Sequence, residues 1–181
     1  MTGVIPAGPV QAGRLRSALA WHAAAVVVVT GPGPAGLTVT TFNSASLDPP
    51  LVSFYVARSS ATWPRLRAAR VFGANVLAAD QGDIADRFAR RDTDRFGPGL
   101  SWRSGPLGVP LIDGAACHVC CELDTVVAVG DHWLVVGLVI DVGSSGAAPL
   151  LRHRGHYGWF SGDLSGDFGG GETKPGPAAV C

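Results

Sequence analysis

The chain has 181 residues, 47% of them hydrophobic and only 15% charged, with 14 basic and 14 acidic side chains that cancel. That composition excludes a charge-solvated disordered chain and allows one domain with a substantial core. Zero net charge offers no bulk basic field to nucleic acid or to an anionic membrane surface. The longest apolar run, Ala23 to Val29, is far short of the roughly 20 residues that cross a bilayer. With no basic leader and cleavage site, the expected location is cytoplasmic.

Residues 1–10 carry Gly and Pro and read as a loose leader. "QAGRLRSALAWHAA" places Leu15, Leu19 and His22 at helical spacing and predicts a first helix. "AVVVVT" predicts a buried strand, "LTVTTF" a second and "LVSFYV" (Leu51 to Val56) a third. Pro64 is tolerated only in a first helical turn, so "TWPRLRAAR" predicts a short helix capped by Ser60 or Thr62. "VFGANVL" is a fourth strand. Asp80 is the expected cap of "QGDIADRFARR", whose buried face carries Ile84 and Phe88 with Ala85 and Ala89 beside them. A loop follows through "DRFGPGLSWRSGPLGVP". Two long strands, Ala115 to Val129 and His132 to Val142, flank a Gly130-Asp131 hairpin turn. "GHYGWF" closes a domain of residues 11–160, and the Gly/Pro-rich residues 161–181 read as a disordered tail. Strands joined by short turns outnumber helices, so the expected fold is mainly β, an antiparallel barrel with a few helices packed outside.

Two motifs invite the wrong chemistry. "GPGPAG" (Gly31 to Gly36) matches G-x-G-x-x-G, but Pro32 and Pro34 have no N–H to offer a pyrophosphate, and a strand pattern follows instead of a helix. It predicts a hairpin. "CHVC" looks like half of a metal site. On a strand, however, Cys117 and Cys120 point to opposite faces, and no second CxxC follows, so no metal is expected.

The informative segment is "TVTTFNSASLDPPLVSFYVARSSAT". Thr38, Thr40, Thr41, Asn43, Ser44 and Ser46 crowd one strand and its exit, and Asp48-Pro49-Pro50 imposes an extended, rigid bend. Two readings stand: a solvated hydroxyl-rich edge, or a cradle for a polar ligand whose phosphate meets a Ser/Thr-rich helix start and a nearby arginine.

These blocks, with "NVLAADQ", "DRF", "GDH" and "HRGHY", resemble the short-chain flavin reductases, the reductase components of two-component flavin-dependent monooxygenases. The resemblance spans roughly Leu15 to Phe160 and implies a split β-barrel that binds FMN, usually as a homodimer. It implies that Thr40, Thr41, Asn43, Ser44 and Ser46 line the ribityl chain and ring edge of the flavin. Ser59, Ser60 and Thr62 would hold its phosphate end, with Arg95 reaching the phosphate and Phe96 near the cofactor. Asn43 departs from the commoner apolar residue of the family. His132 is the candidate catalytic side chain, positioning NADH or NADPH, and Arg154 and Tyr157 would complete that side. Hydride passes from nicotinamide to flavin, so the chemistry needs stacked rings and few protein acids or bases. The residues leave FMN against FAD open. The implied function is reduction of flavin for a partner monooxygenase; the alternative is an electron-carrying or non-catalytic FMN-binding protein on the same barrel.

Overall fold

The computed structural model describes residues 8–91 and 93–160. The tail reading, and all but the last three residues of the leader reading, lie outside the described residues. In chain order the elements are α1 (Ala12–Leu19), β1 (Ala24–Ala25), β2 (Val27–Gly31), β3 (Ala35–Val39), β4 (Asn43–Leu47), β5 (Pro50–Ala57), α2 (Trp63–Ala69) and β6 (Val71–Val76). They continue with α3 (Gly82–Ala89), β7 (Trp102–Ser104), β8 (Pro110–Ile112), β9 (Cys117–Val129), β10 (His132–Ser144), β11 (Leu151–His153) and β12 (His156–Gly158).

Seven strands form one antiparallel sheet in the order β3-β2-β6-β9-β10-β5-β4. The sheet curls into a split barrel. Tyr55 N–H donates to Thr41 Oγ1 at 2.9 Å, tying the exit of β3 to β5 at the closing seam. Strand β2 shows why valines were needed. Val27 and Val29 face the barrel interior with Phe54, Phe72, Leu123 and Val135. Val26, just before it, and Val28 face an outer layer with Ala85, Phe88, Leu77 and Leu150. A strand buried on both faces reads as a continuous apolar run.

The glycines of "GPGPAG" serve packing. Gly33 has φ +72° in the β2–β3 turn, a conformation that favours glycine. A Cβ on Gly31 would lie 2.6 Å from Leu66 of α2, and one on Gly36 would lie 2.5 Å from the Phe88 ring of α3. The segment is the hairpin that the proline argument predicts, and the absent side chains let two helices approach it.

Several local expectations are corrected. Gln81, not Asp80, is the N-cap residue of α3. Its side chain accepts from Ala78 N–H at 3.0 Å and donates to the Asp113 carbonyl at 2.8 Å, while Asp80 lies exposed in the preceding turn. Ala89 is exposed: Phe88 beside it stays packed on the sheet, and Ala89 borders an open cavity. Thr62 is the N-cap of α2 but makes no side-chain cap bond; Ser60 Oγ accepts the Trp63 N–H at 3.3 Å. Residues 43–47 form an edge strand, and Asp48-Pro49 makes the tight β4–β5 turn, with Leu47 paired to Pro50. The expected 94–110 loop contains β7 and leads into β8. The last strand is a short hairpin, β11–β12, with β11 also paired to β1. Cys117 and Cys121 face the barrel interior and Cys120 the opposite side, so the strand argument holds. Burial pushes the Cys121 thiol up to about 12.

Candidate functional site

A cavity of about 630 Å³ opens where the ends of β3, β5 and β10 meet the starts of α2 and β12. Eight of the sequence-predicted residues line it: Thr40, Thr41, Ser59, Ser60, Thr62, Arg95, His132 and Tyr157. They arrive from distant parts of the chain. Thr40 and Thr41 leave the end of β3, and Ser59 to Thr62 bridge β5 to α2. His132 opens β10, across from Ala57 of β5.

The hydroxyls are not equivalent. Thr38 Oγ1 donates to the Ala85 carbonyl at 2.7 Å, and Thr41 Oγ1 is engaged with the Tyr55 backbone. Ser60 is occupied by Trp63, as above. Thr40 and Ser59 make no side-chain hydrogen bond among the described residues, which leaves them available to a ligand.

The electrostatics are one-sided. Arg65, Arg91, Arg95 and Arg152 line the cavity, and no carboxylate among the described residues does. None of the four forms an ion pair among the described residues. Arg95 donates to Thr62 Oγ1 at 2.8 Å, but its Nε is buried without a partner among the described residues. Burial, and then the neighbouring Arg65 guanidinium, hold Arg95 below the ordinary arginine range. Arg65 itself donates to the Gly33 and Pro34 carbonyls, which joins α2 to the β2–β3 turn. Two adjacent guanidiniums with an orphaned donor fit an anionic ligand group such as a phosphate. Sequence reasoning missed Arg65 and Arg91. Arg65 carried a usable signal, one helical turn after the Ser/Thr-rich start of α2.

At the other rim His132 Nδ1 lies 2.7 Å from Asp131 Oδ1, and this partner holds the Asp131 carboxyl below its usual range. With Nδ1 so engaged, Nε2 is the free edge of the ring. Tyr157 donates to Asp86 Oδ1 at 2.8 Å. Burial first, then Asp86, push its phenol up.

Five predicted residues do not line this cavity. Asn43, Ser44 and Ser46 run along edge strand β4, because the chain turns after Thr41 to pair with β5. Asn43 Nδ2 donates back to the Thr41 carbonyl at 3.1 Å. Phe96 packs edge-on against Phe88 at 5.1 Å and Trp102 at 5.5 Å, behind the wall that Phe88 presents. Arg154 occupies the β11–β12 turn at φ +52° and lies 4.4 Å over the Trp21 ring. Arg152, two residues earlier and on β11, lines the cavity instead. Among the described residues no cluster of three or more His, Cys, Asp or Glu could hold a metal.

The barrel with a hydroxyl- and guanidinium-lined cavity at its mouth defines a nucleotide-cofactor protein of the split-barrel class. The flavin reductase like domain family matches residues 19–161, and the chain belongs to that family. It is 42% identical over 154 residues to an NADH:FMN oxidoreductase of Rhodococcus erythropolis, covering 81% of this chain and 80% of that one. It is 34% identical over 159 residues to HsaB, the reductase subunit of a flavin-dependent monooxygenase of Rhodococcus jostii, covering 86% and 81%. Among solved structures, the Streptomyces globisporus NADH:FAD oxidoreductase in complex with NAD and FAD fragments superposes with a TM-score of 0.80. It shares 33% identity and is matched over 84% of this chain and 94% of that one.

Proposed function

We propose that this chain is an NAD(P)H-dependent FMN reductase that supplies reduced flavin to a partner monooxygenase. The observation that carries the reading is the Arg95–Arg65 pair with its orphaned Nε, set beside free hydroxyls in a cavity large enough for a flavin. Thr40 and Ser59 bind the polar chain and ring edge, while Thr62, Arg95 and Arg65 hold the phosphate. Bound flavin supplies the acceptor for a hydride from the reduced nicotinamide. The protein's task is positioning. His132, held from behind by Asp131, presents Nε2 to the nicotinamide side, and Tyr157 and Arg152 form the facing wall. Phe88 and Val56 exclude water from the inner wall. The hydride transfer itself requires no proton from a side chain in the cavity.

The domain spans residues 11–160, acts in the cytoplasm and pairs as a homodimer. Support for pairing comes from Leu47, 88% exposed on β4, and from Ile140 and Val142, exposed on the outer half of β10. No helix among the described residues is long and apolar enough to cross a membrane.

The test is NADH and NADPH oxidation by the purified chain with and without FMN. Turnover that saturates with catalytic FMN is the expected result. Tight FMN binding with no turnover on either donor overturns the reductase and leaves an electron carrier or binding protein.

A further inference from the structure

A second cavity, of about 560 Å³, lies between the entry to β1 and the β11–β12 hairpin. It shares one wall with the first, because Tyr157 lines both. That wall is fixed: the phenol is bonded to Asp86, and the Arg152 guanidinium sits 5.6 Å from the ring centroid. Around the second cavity stand His153, Arg154, His156 and Trp159, and among the described residues no carboxylate. Trp159 keeps 62% of its surface exposed. Arg154 lies with one face on Trp21 and makes no side-chain hydrogen bond or ion pair among the described residues, so its in-plane N–H groups stay open to an anion. Among the described residues the histidines join no metal-ligating cluster.

Aromatic faces for a planar base and a stacked guanidinium for a phosphate describe one ligand chemistry. We propose that this cavity is an adenylate subsite, taking the AMP moiety of a dinucleotide whose redox-active half occupies the first cavity, with Tyr157 at the crossing. The proposal rests on the reductase reading and deepens it. Two molecules end in this moiety, FAD and NADH, and they are separable by experiment.

Affinities of the full chain for FMN, FAD, NADH and reduced nicotinamide mononucleotide would be measured by titration calorimetry, beside those of two variants. Trp159→Ala removes the exposed indole. Arg154→Asn removes the guanidinium while tolerating the positive φ. The expected result is a roughly five- to tenfold weaker binding of FAD, NADH or both in Trp159→Ala, with both mononucleotides within about twofold of the parent. Arg154→Asn weakens the same dinucleotide, and the difference shrinks in high salt. Loss confined to FAD assigns the site to the flavin tail, and loss confined to NADH to the nicotinamide tail. Unchanged dinucleotide affinities in both variants overturn the proposal, as does equal weakening of mono- and dinucleotides. Undiminished NADH-driven FMN reduction in those cases leaves the reductase reading standing, so the two failures are distinguishable.

Discussion

The Asn75–Thr30 cluster and the Thr62–Arg95 cluster both join residues far apart in the chain, and they differ in completeness. Asn75 and Thr30 are fully buried. Asn75 Oδ1 accepts the Ile112 N–H at 2.8 Å, its Nδ2 donates to the Val28 carbonyl at 3.0 Å, and Thr30 Oγ1 donates to the Pro110 carbonyl at 2.6 Å. Every strong group is matched, so β8 is clamped across β2 and β6. Arg95 reaches Thr62 in the same manner but keeps a buried Nε without a partner among the described residues and a second guanidinium nearby. A closed polar network stabilises one fold, whereas an open one is completed only by a ligand.

The comparison can be broken most forcefully at the closed cluster. Asn75→Ala strips the Ile112 N–H and the Val28 carbonyl of their partners inside the core. The expected loss is about 2–4 kcal/mol of stability, read from the urea midpoint, with FMN affinity of the folded fraction unchanged. Arg95→Met should do the reverse. FMN binding weakens roughly ten- to a hundredfold, as loss of charge-assisted bonds implies, while the melting temperature holds or rises because an unpaired, part-buried charge is gone. A large stability loss with intact FMN affinity would place Arg95 with Asn75 as a purely structural clamp.

Two smaller effects sharpen the picture at the opposite rim. His132→Ala is expected to raise the apparent KM for NADH severalfold more than it raises the Kd for FMN. Equal defects in both, or none, would remove its positioning role. The smallest effect concerns Tyr157, one of two tyrosines. In a Tyr55→Phe background, alkaline absorbance titration reports Tyr157 alone. Its folded-state pKa is raised, so its contribution to stability is present below the ordinary phenol value of about 10 and is lost as pH rises through the folded value. Asp86→Asn should move the titration down only part of the way, since burial is the larger cause and remains. No movement would mean that the Tyr157–Asp86 bond contributes nothing to the shared wall.

The legible parts of the molecule are those with short-range rules. The β9–β10 hairpin follows from alternation on either side of Gly130-Asp131, and Gly130 takes φ +55° as that turn requires. The β2–β3 hairpin follows from two prolines that cannot donate. Strand β4 was not legible, because Asn43, Ser44 and Ser46 on an exposed edge have no apolar alternation to announce a strand. The β11–β12 turn was hidden for a different reason: Gly155 at φ +86° marks it, but the first turn position, also at positive φ, is an arginine where glycine or asparagine is usual. Among the site residues, "DRF" marked Arg95, whereas Arg65 was signalled only by its place after the Ser/Thr-rich start of α2.

The sequence by itself determined the fold class, the apolar faces of its long strands, the absence of a Rossmann loop and most of the hydroxyls around the cavity. The first three depend on backbone rules that act within a few residues, and the hydroxyls are assigned to a site by the family resemblance. Tertiary structure alone decided which hydroxyls are free, that Arg152 and not Arg154 faces the first cavity, and that a second cavity shares Tyr157. Thr62 and Arg95 are 33 positions apart, and Asp86 and Tyr157 are 71 apart. Those distances are closed by the strand order of the sheet, and where a side chain points after such a closure is set by packing that no local pattern records.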